Sequence, residues 1–178
     1  MLLIIGWQTY NISRDAGMTI AAASGQLALI GLLQFLPLFI LTPFSGLAAD
    51  YFDRRKLSAL MILLHLLCSV ALCWSTWNGS TTLTTLFVIA VVLGVARCFA
   101  GPALSALAPN LVPANILPTA IALSSISWQF GMIGGPAIGG LLFKIYPALP
   151  YAAASLLFLI SAISTILITK VAQPRTAA

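Results

Sequence analysis

The chain has 178 residues, of which 61% are hydrophobic and 6% charged, eight Lys/Arg against three Asp/Glu. A soluble domain carries about 25% charged residues, so eleven charges cannot cover a water-facing surface, and the same numbers exclude disorder. The formal charge of +5 does not indicate a nucleic-acid partner, because most of the basic residues stand alone between long apolar runs rather than clustered on one solvated face.

Charge-free runs cover residues 1–13, 16–49, 57–96, 98–143 and 145–169. A membrane-crossing helix needs about 20 mostly apolar residues. Met1 to Tyr10 is apolar but about half a bilayer deep, with no basic leader and no clear cleavage site. It reads as the second half of a helix whose start is missing. The second span runs from Gln26 to Ala49. The stretch 57–96 is too long for one span, and Asn78-Gly79 marks a tight turn within Ser75–Ser80. It divides into spans at 57–74 and from 83 onward. The segment Pro109–Asn115 ends the fourth span near residue 108. The fifth covers 119–143, Pro147 and Pro150 bracket a turn, and the sixth covers 151–169. The fold class is therefore all-α and integral to the membrane, with five full spans and one shortened span.

Arg54-Arg55-Lys56, Lys170 and Arg175 fall on one side of this arrangement, and Arg14 and Lys144 on the other. Five against two places the first cluster and the C-terminus in the cytoplasm. Trp74, Trp77, Tyr146 and Tyr151 fall near span ends on the opposite side, as an interfacial aromatic belt would. Cys68, Cys73 and Cys98 lie in apolar sequence and read as small buried side chains rather than disulfide or metal positions. No cofactor or metal is expected.

The loop after the second span reads Gly46-Leu47-Ala48-Ala49-Asp50-Tyr51-Phe52-Asp53-Arg54-Arg55-Lys56. Gly46 permits close helix approach. Asp50 ends a helix, where its carboxylate opposes the helix dipole, so it needs a cation or another helix N-terminus. Arg54 and Arg55 are near enough to supply the cation. Three cations at the start of the next helix are unfavourable there by a few tenths of a kcal/mol each.

In the fifth span Gly131, Gly135 and Gly139 recur at four-residue spacing, a bare stripe for helix packing. Pro136 removes a backbone donor beside it, and Gly140 follows. Arg97 lies about 14 residues, or roughly 21 Å, into the fourth span. An Arg near the bilayer centre costs at least about 2.5–3.5 kcal/mol, which favours a wet cavity or a partner; the alternative is snorkelling to the cytoplasmic surface about ten residues away. Gly101-Pro102 can open the helix below it. Gln8, Gln34, Ser125 and Gln129 are further polar residues in apolar runs and candidates for a substrate or coupling cavity, although for each one singly a structural hydrogen bond between helices is the commoner role. Ser125 and Gln129 share a helix face, some 200° from Gly131 at about 100° per residue. His65 is alone in the third span and reads as structural.

These segments resemble the major facilitator superfamily of transporters. Gly46 to Arg55 is similar to its loop signature, Gly-x-Leu-Ala-Asp-Arg-x-Gly-Arg-Arg, departing at Ala48, Tyr51 and Asp53. The Ala-Asp-x-x-Asp-Arg-Arg form, with Gly6-Trp7-Gln8-x-Tyr10, resembles the siderophore (enterobactin-type) exporter branch. Gly131-x-x-x-Gly135-Pro136-x-x-Gly139-Gly140 resembles the antiporter signature at every fixed position. Arg97-x-x-x-Gly101 resembles in part the span-four motif, with Ala100 where that motif has Gln.

The resemblance implies the N-terminal six-helix half of a twelve-helix fold, made of two inverted three-helix repeats, with the C-terminal half absent. It implies that Asp50 and Arg55 stabilise an outward-open state, that Arg97 lines the coupling cavity, and that the glycine stripe packs on the second half. The implied activity is proton-coupled export of a small organic solute, a siderophore or a drug, across the cytoplasmic membrane, the fragment being inactive alone. Two other classes compete. An intramembrane hydrolase needs Ser–His or paired carboxylates, whereas this chain has one His, and Asp15, Asp50 and Asp53 all fall in loops. A truncated membrane protein or scaffold without transport of its own stays open.

Overall fold

A computed structural model describes residues 1–107, 113 and 115–168, leaving aside the side chains of residues 49, 50 and 103–107. The described residues form six helices: α1 Leu2–Asp15, α2 Ile20–Tyr51, α3 Arg54–Trp77, α4 Leu83–Leu107, α5 Leu117–Ile145 and α6 Leu149–Leu167. Helices α2 to α6 are long and apolar enough to cross a membrane. The loop at Pro109–Asn115 falls mostly outside the described residues, as do Lys170 and Arg175.

Helices α1, α2, α3 and α5 outrun the expected spans, and at the starts of α2 and α3 side-chain caps set the boundary. α1 continues past Tyr10 to Asp15. α2 begins at Ile20 rather than Gln26, because the Thr19 hydroxyl accepts the Ala22 N–H at 3.2 Å and so closes an orphan donor. α3 begins at Arg54, because Asp53 Oδ1 accepts the Arg55 and Lys56 N–H groups at 3.0 and 3.4 Å. The three cations thus form the first turn of α3, with an N-cap carboxylate facing them. α3 runs through Ser75 and Trp77 and stops at Asn78-Gly79, where Gly79 takes φ +64°, a conformation glycine adopts without steric cost. α4 stays helical through Gly101 and Pro102 to Leu107, so no break opens there.

Alternate helices share an end of the bundle. One end, here the aromatic end, holds Asp15, Trp77, Leu83 and Tyr146. The other, the basic end, holds Tyr51, Arg54–Lys56, Leu117 and Leu167. α2 lies along α4, α3 packs between α4 and α6, and α1 lies on α2, while α5 touches α1 and α6 lightly. α2 and α4 run parallel in fixed register. Ile30 and Ala90 share the core, Gly94 faces the Gln34 carbonyl, and Cys98 Sγ lies 3.8 Å from the Leu38 carbonyl. α3 and α6 run antiparallel, with Ser155 Oγ 3.0 Å from Ser69 Oγ.

The core comprises Ile4, Ile5, Ile30, Cys68, Leu72, Leu86, Ile89, Ala90, Leu93 and Tyr151. It fills the half of the bundle nearer the aromatic end. Large apolar side chains meanwhile point outward, Phe39 at 67% and Phe130 at 74% exposure. Lipid solvates such side chains as well as protein does, so helix association rests on close backbone approach at small residues. Gly94 is the tightest case: a Cβ there would stand 2.5 Å from the Gln34 carbonyl oxygen. That neighbour is backbone and cannot swing away. Gly94→Leu should therefore separate α2 from α4 and destabilise the bundle by about 3 kcal/mol or more. Unfolding in mixed micelles, compared with Gly101→Leu where the space is open, measures the difference.

Candidate functional site

Counting inward from the aromatic end places several polar residues at one depth. Arg97 is fourteen residues from Leu83, Gln34 fourteen from Ile20, and Gln129 sixteen from Ile145. At 1.5 Å per residue these are roughly 21 to 24 Å deep. Ser125 lies one further turn toward the basic end.

Arg97 continues the stripe Leu86–Ala90–Leu93 along α4. Those three side chains are buried in the core, whereas Arg97 is exposed. Along that stripe the cover stops at Arg97, while Ala96 and Cys98 on either side stay buried. Arg97 makes no hydrogen bond or ion pair among the described residues. Gln34 is half-buried, and its backbone meets α4 at Gly94, one turn from Arg97. The structure therefore brings Gln34 and Arg97 together on neighbouring helices. It does not join Ser125 or Gln129 to them by hydrogen bonds. Both are exposed on α5, and the Ser125 hydroxyl donates to its own helix at the Ile121 carbonyl, 3.0 Å away.

Gln8 departs from the cavity reading. It is 6% exposed, its Oε1 accepts the Tyr151 hydroxyl at 2.6 Å, and its Nε2 donates to Thr76 Oγ1 at 3.1 Å. It is a structural tie joining α1 to α3 and α6. Tyr151 departs from the interfacial belt for the same reason, being fully buried with its hydroxyl on Gln8. Trp74 and Trp77 remain exposed, and Trp77 meets the Tyr146 ring edge-on at 5.1 Å. The Gln8–Tyr151 pair spans 143 residues of sequence, and no local signal joins them.

At the basic end the loop signature is only partly described. The Asp50 side chain lies outside the described residues. Arg54 is the half-buried first residue of α3. Among the described residues Arg55 is held by the end of α6. Its Nε donates to the Thr165 carbonyl at 3.3 Å, and its Nη2 to the Ile166 carbonyl. These are last-turn carbonyls of α6, which have no intrahelical partner and carry the negative end of the dipole. The guanidinium closes both. Gly46 is exposed, with open space where a Cβ would stand, so among the described residues no helix approaches it.

The antiporter-like string occupies the middle of α5. A Cβ at Gly131, Gly135 or Gly140 would meet nothing within 4 Å. At Gly139 it would reach Ile4 Cδ1 of α1 at 3.3 Å. The stripe therefore divides, with Gly139 against α1 and Gly131 and Gly135 uncovered. Pro136 is exposed beside them, and no residue of α5 is buried.

A helical bundle of this kind, with apolar outer faces and a polar layer at mid-depth, is a multi-pass membrane protein. Its sequence matches the family model described as transmembrane secretion effector over residues 5–178, and the chain belongs to that family of the major facilitator superfamily. It is 28% identical over 128 residues to multidrug resistance protein 1 of Bacillus subtilis, covering 72% of this chain and 32% of that protein. It is 28% identical over 126 residues to the multidrug efflux pump Tap of Mycobacterium tuberculosis, covering 67% and 30%. Macrolide efflux protein A of Enterococcus faecalis is 25% identical over 142 residues, covering 80% and 44%. The matched region spans about a third of the length of the first two relatives. Membership of a transporter family, not an enzyme family, displaces the hydrolase reading.

Two substitutions test the ties. Arg55→Ala should leave the α6 carbonyls open and speed hydrogen exchange in the last turn of α6, while Arg55→Lys restores part of the protection. Tyr151→Phe should cost about 1 kcal/mol, because it strands Gln8 Oε1 in an apolar core. The double variant Gln8→Leu/Tyr151→Phe should cost less than the sum of the singles, as a double-mutant cycle in micelles would read.

Proposed function

We propose that this chain is the N-terminal half of a twelve-helix exporter that moves a small drug-like solute out of the cell against proton entry. The carrying observation is the uncovered Gly131–Gly135 stripe beside Pro136 on a helix with no buried residue. A helix bare of side chains on one stripe and without a neighbour there is shaped to receive another helix. In this reading that helix belongs to a second six-helix half, and α5 with α2 forms the sliding wall of alternating access.

The names of the relatives support efflux and favour a drug-like solute. The siderophore alternative rests on Gly6-Trp7-Gln8 and on the Ala-Asp-x-x-Asp-Arg-Arg loop. Gln8 is engaged in a helix tie, which weakens its part in that argument. Arg97 and Gln34 line the solute path, with Ser125 and Gln129 joining from α5 as the halves rock. Asp50 docks on the second half, while Arg55 holds the end of α6. The basic end faces the cytoplasm by the distribution of positive charge, in the inner membrane of a bacterium.

Expression within the twelve-helix protein in an efflux-deficient bacterium tests this. Macrolide accumulation should fall, and collapse of the proton gradient should restore it. Arg97→Ala should lower export about tenfold or more with normal membrane insertion. Gly135→Leu should abolish export by blocking the stripe. Unchanged accumulation with the wild-type protein would remove the exporter reading in favour of a scaffold.

A further inference from the structure

The aromatic end holds a groove that plays no part in the solute path. It lies between α3 and α6, encloses about 410 Å³ and is lined by Val70, Cys73, Trp74, Trp77, Ala152 and Ser155. Small-molecule sites fall within about 300–1,000 Å³, so the space is large enough for a ligand. Trp77 is the last residue of α3, and Val70 stands seven residues further in. Ala152 and Ser155 stand three and six residues inside the start of α6. The groove therefore runs from the end of the bundle roughly 10 Å inward along both helices.

Its walls offer no free polar side-chain atom below the mouth. Ser155 Oγ is 2.8 Å from the Tyr151 carbonyl and 3.0 Å from Ser69 Oγ. Cys73 Sγ is 3.8 Å from the Ala148 carbonyl. Val70 and Ala152 bring only methyl groups. Water or a polar solute would leave its own hydrogen-bonding groups unmet there, whereas a hydrocarbon chain would not.

The mouth has the opposite character. Trp74 and Trp77 are 71% and 62% exposed, and neither indole N–H has a hydrogen-bond partner among the described residues. Trp77 is set edge-on against Tyr146, with centroids 5.1 Å apart. Indoles at a span end sit at the level of the lipid headgroups, with an apolar body and a donor that needs an acceptor. An apolar slot entering the membrane, with two unused donors at its outer end, matches a molecule with a hydrocarbon tail and oxygen acceptors at its head. The bilayer around this chain consists of such molecules.

We propose that the groove is a site for one membrane phospholipid, its acyl chain lying between α3 and α6 and its ester oxygens accepting from Trp74 and Trp77. The assignment is independent of the exporter reading, since it requires only a bilayer. It distinguishes a lipid held in a concave site from the lipids that merely surround the outer faces, such as the exposed side of α5.

Brominated acyl chains quench indole fluorescence on contact, so the groove carries its own reporters. The full chain in mild-detergent micelles is titrated with phosphatidylglycerol brominated midway along one chain. Trp74 and Trp77 are read in Trp7→Phe/Trp128→Phe. Trp128, exposed on α5 and not part of the groove, is read in Trp7→Phe/Trp74→Phe/Trp77→Phe. The groove pair should reach half-maximal quenching at a lipid-to-detergent ratio about fivefold lower than Trp128, the preference that one net hydrogen bond confers. Unbrominated phosphatidylglycerol should reverse it, and a brominated alkane, which lacks the ester oxygens, should show no such preference. Ala152→Phe fills the slot from an exposed position and should bring the groove pair level with Trp128. Trp77→Phe keeps a ring and removes one donor, and the preference read at Trp74 should fall. Equal quenching of the groove pair and Trp128 in the unfilled chain would mean surrounding lipid only and overturn the proposal, as would a preference unchanged in either variant. Reversal by a macrolide would give the groove to a solute, and no quenching at any ratio would mean that protein covers it. Either result would also overturn the proposal.

Discussion

The hydrocarbon core of a bilayer offers no hydrogen-bond partners, and this governs the rest of the structure. Backbone groups are closed within helices, so polar side chains must find partners inside the bundle. The small ones turn back on their own helix. Thr9 donates to the Ile5 carbonyl and Ser13 to the Thr9 carbonyl, each at 2.8 Å, and Thr165 does the same on α6. Gln8 is too long and too polar for that and is met from two other helices. Ser58 Oγ is the exception, buried without a partner among the described residues, and Arg97 is an exposed guanidinium at mid-depth.

Closing the polar groups also divides the bundle into unequal parts. Helices α1, α2, α3, α4 and α6 contribute to the core, the Gln8–Tyr151–Thr76 tie joins α1, α3 and α6, and α2 meets α4 closely at Gly94. α5 joins them weakly, with Gly139 on Ile4 as its closest approach to α1. The basic end fits the same scheme. Arg55 ties the start of α3 to the end of α6, fastening two of the core-forming helices on the side where the chain continues beyond α6.

Much of the fold was legible from residue order because hydropathy and charge report directly on lipid. Six helical segments, the position of the Asn78-Gly79 turn and the transporter-like motifs follow from composition along the chain. Helix ends were less legible. Thr19 and Asp53 are capping residues whose preference is readable, yet hydropathy alone starts α2 at Gln26 and α3 at Leu57. The candidate site was partly legible: Arg97 and Gln34 share a depth, while Gln8 does not belong with them. Polarity shows that a residue needs a partner and says nothing of which partner it has.

The amino-acid sequence by itself determined that this protein lives in lipid, crosses it repeatedly and carries one buried-depth arginine, because those properties depend on local chemistry summed along a helix. Tertiary structure alone decided that Tyr151 locks Gln8 and that Arg55 caps α6. Those outcomes depend on which helix faces which across as many as 143 residues. Such distances are closed by packing, and packing in a membrane is set by backbone approach at positions such as Gly94 rather than by any local pattern.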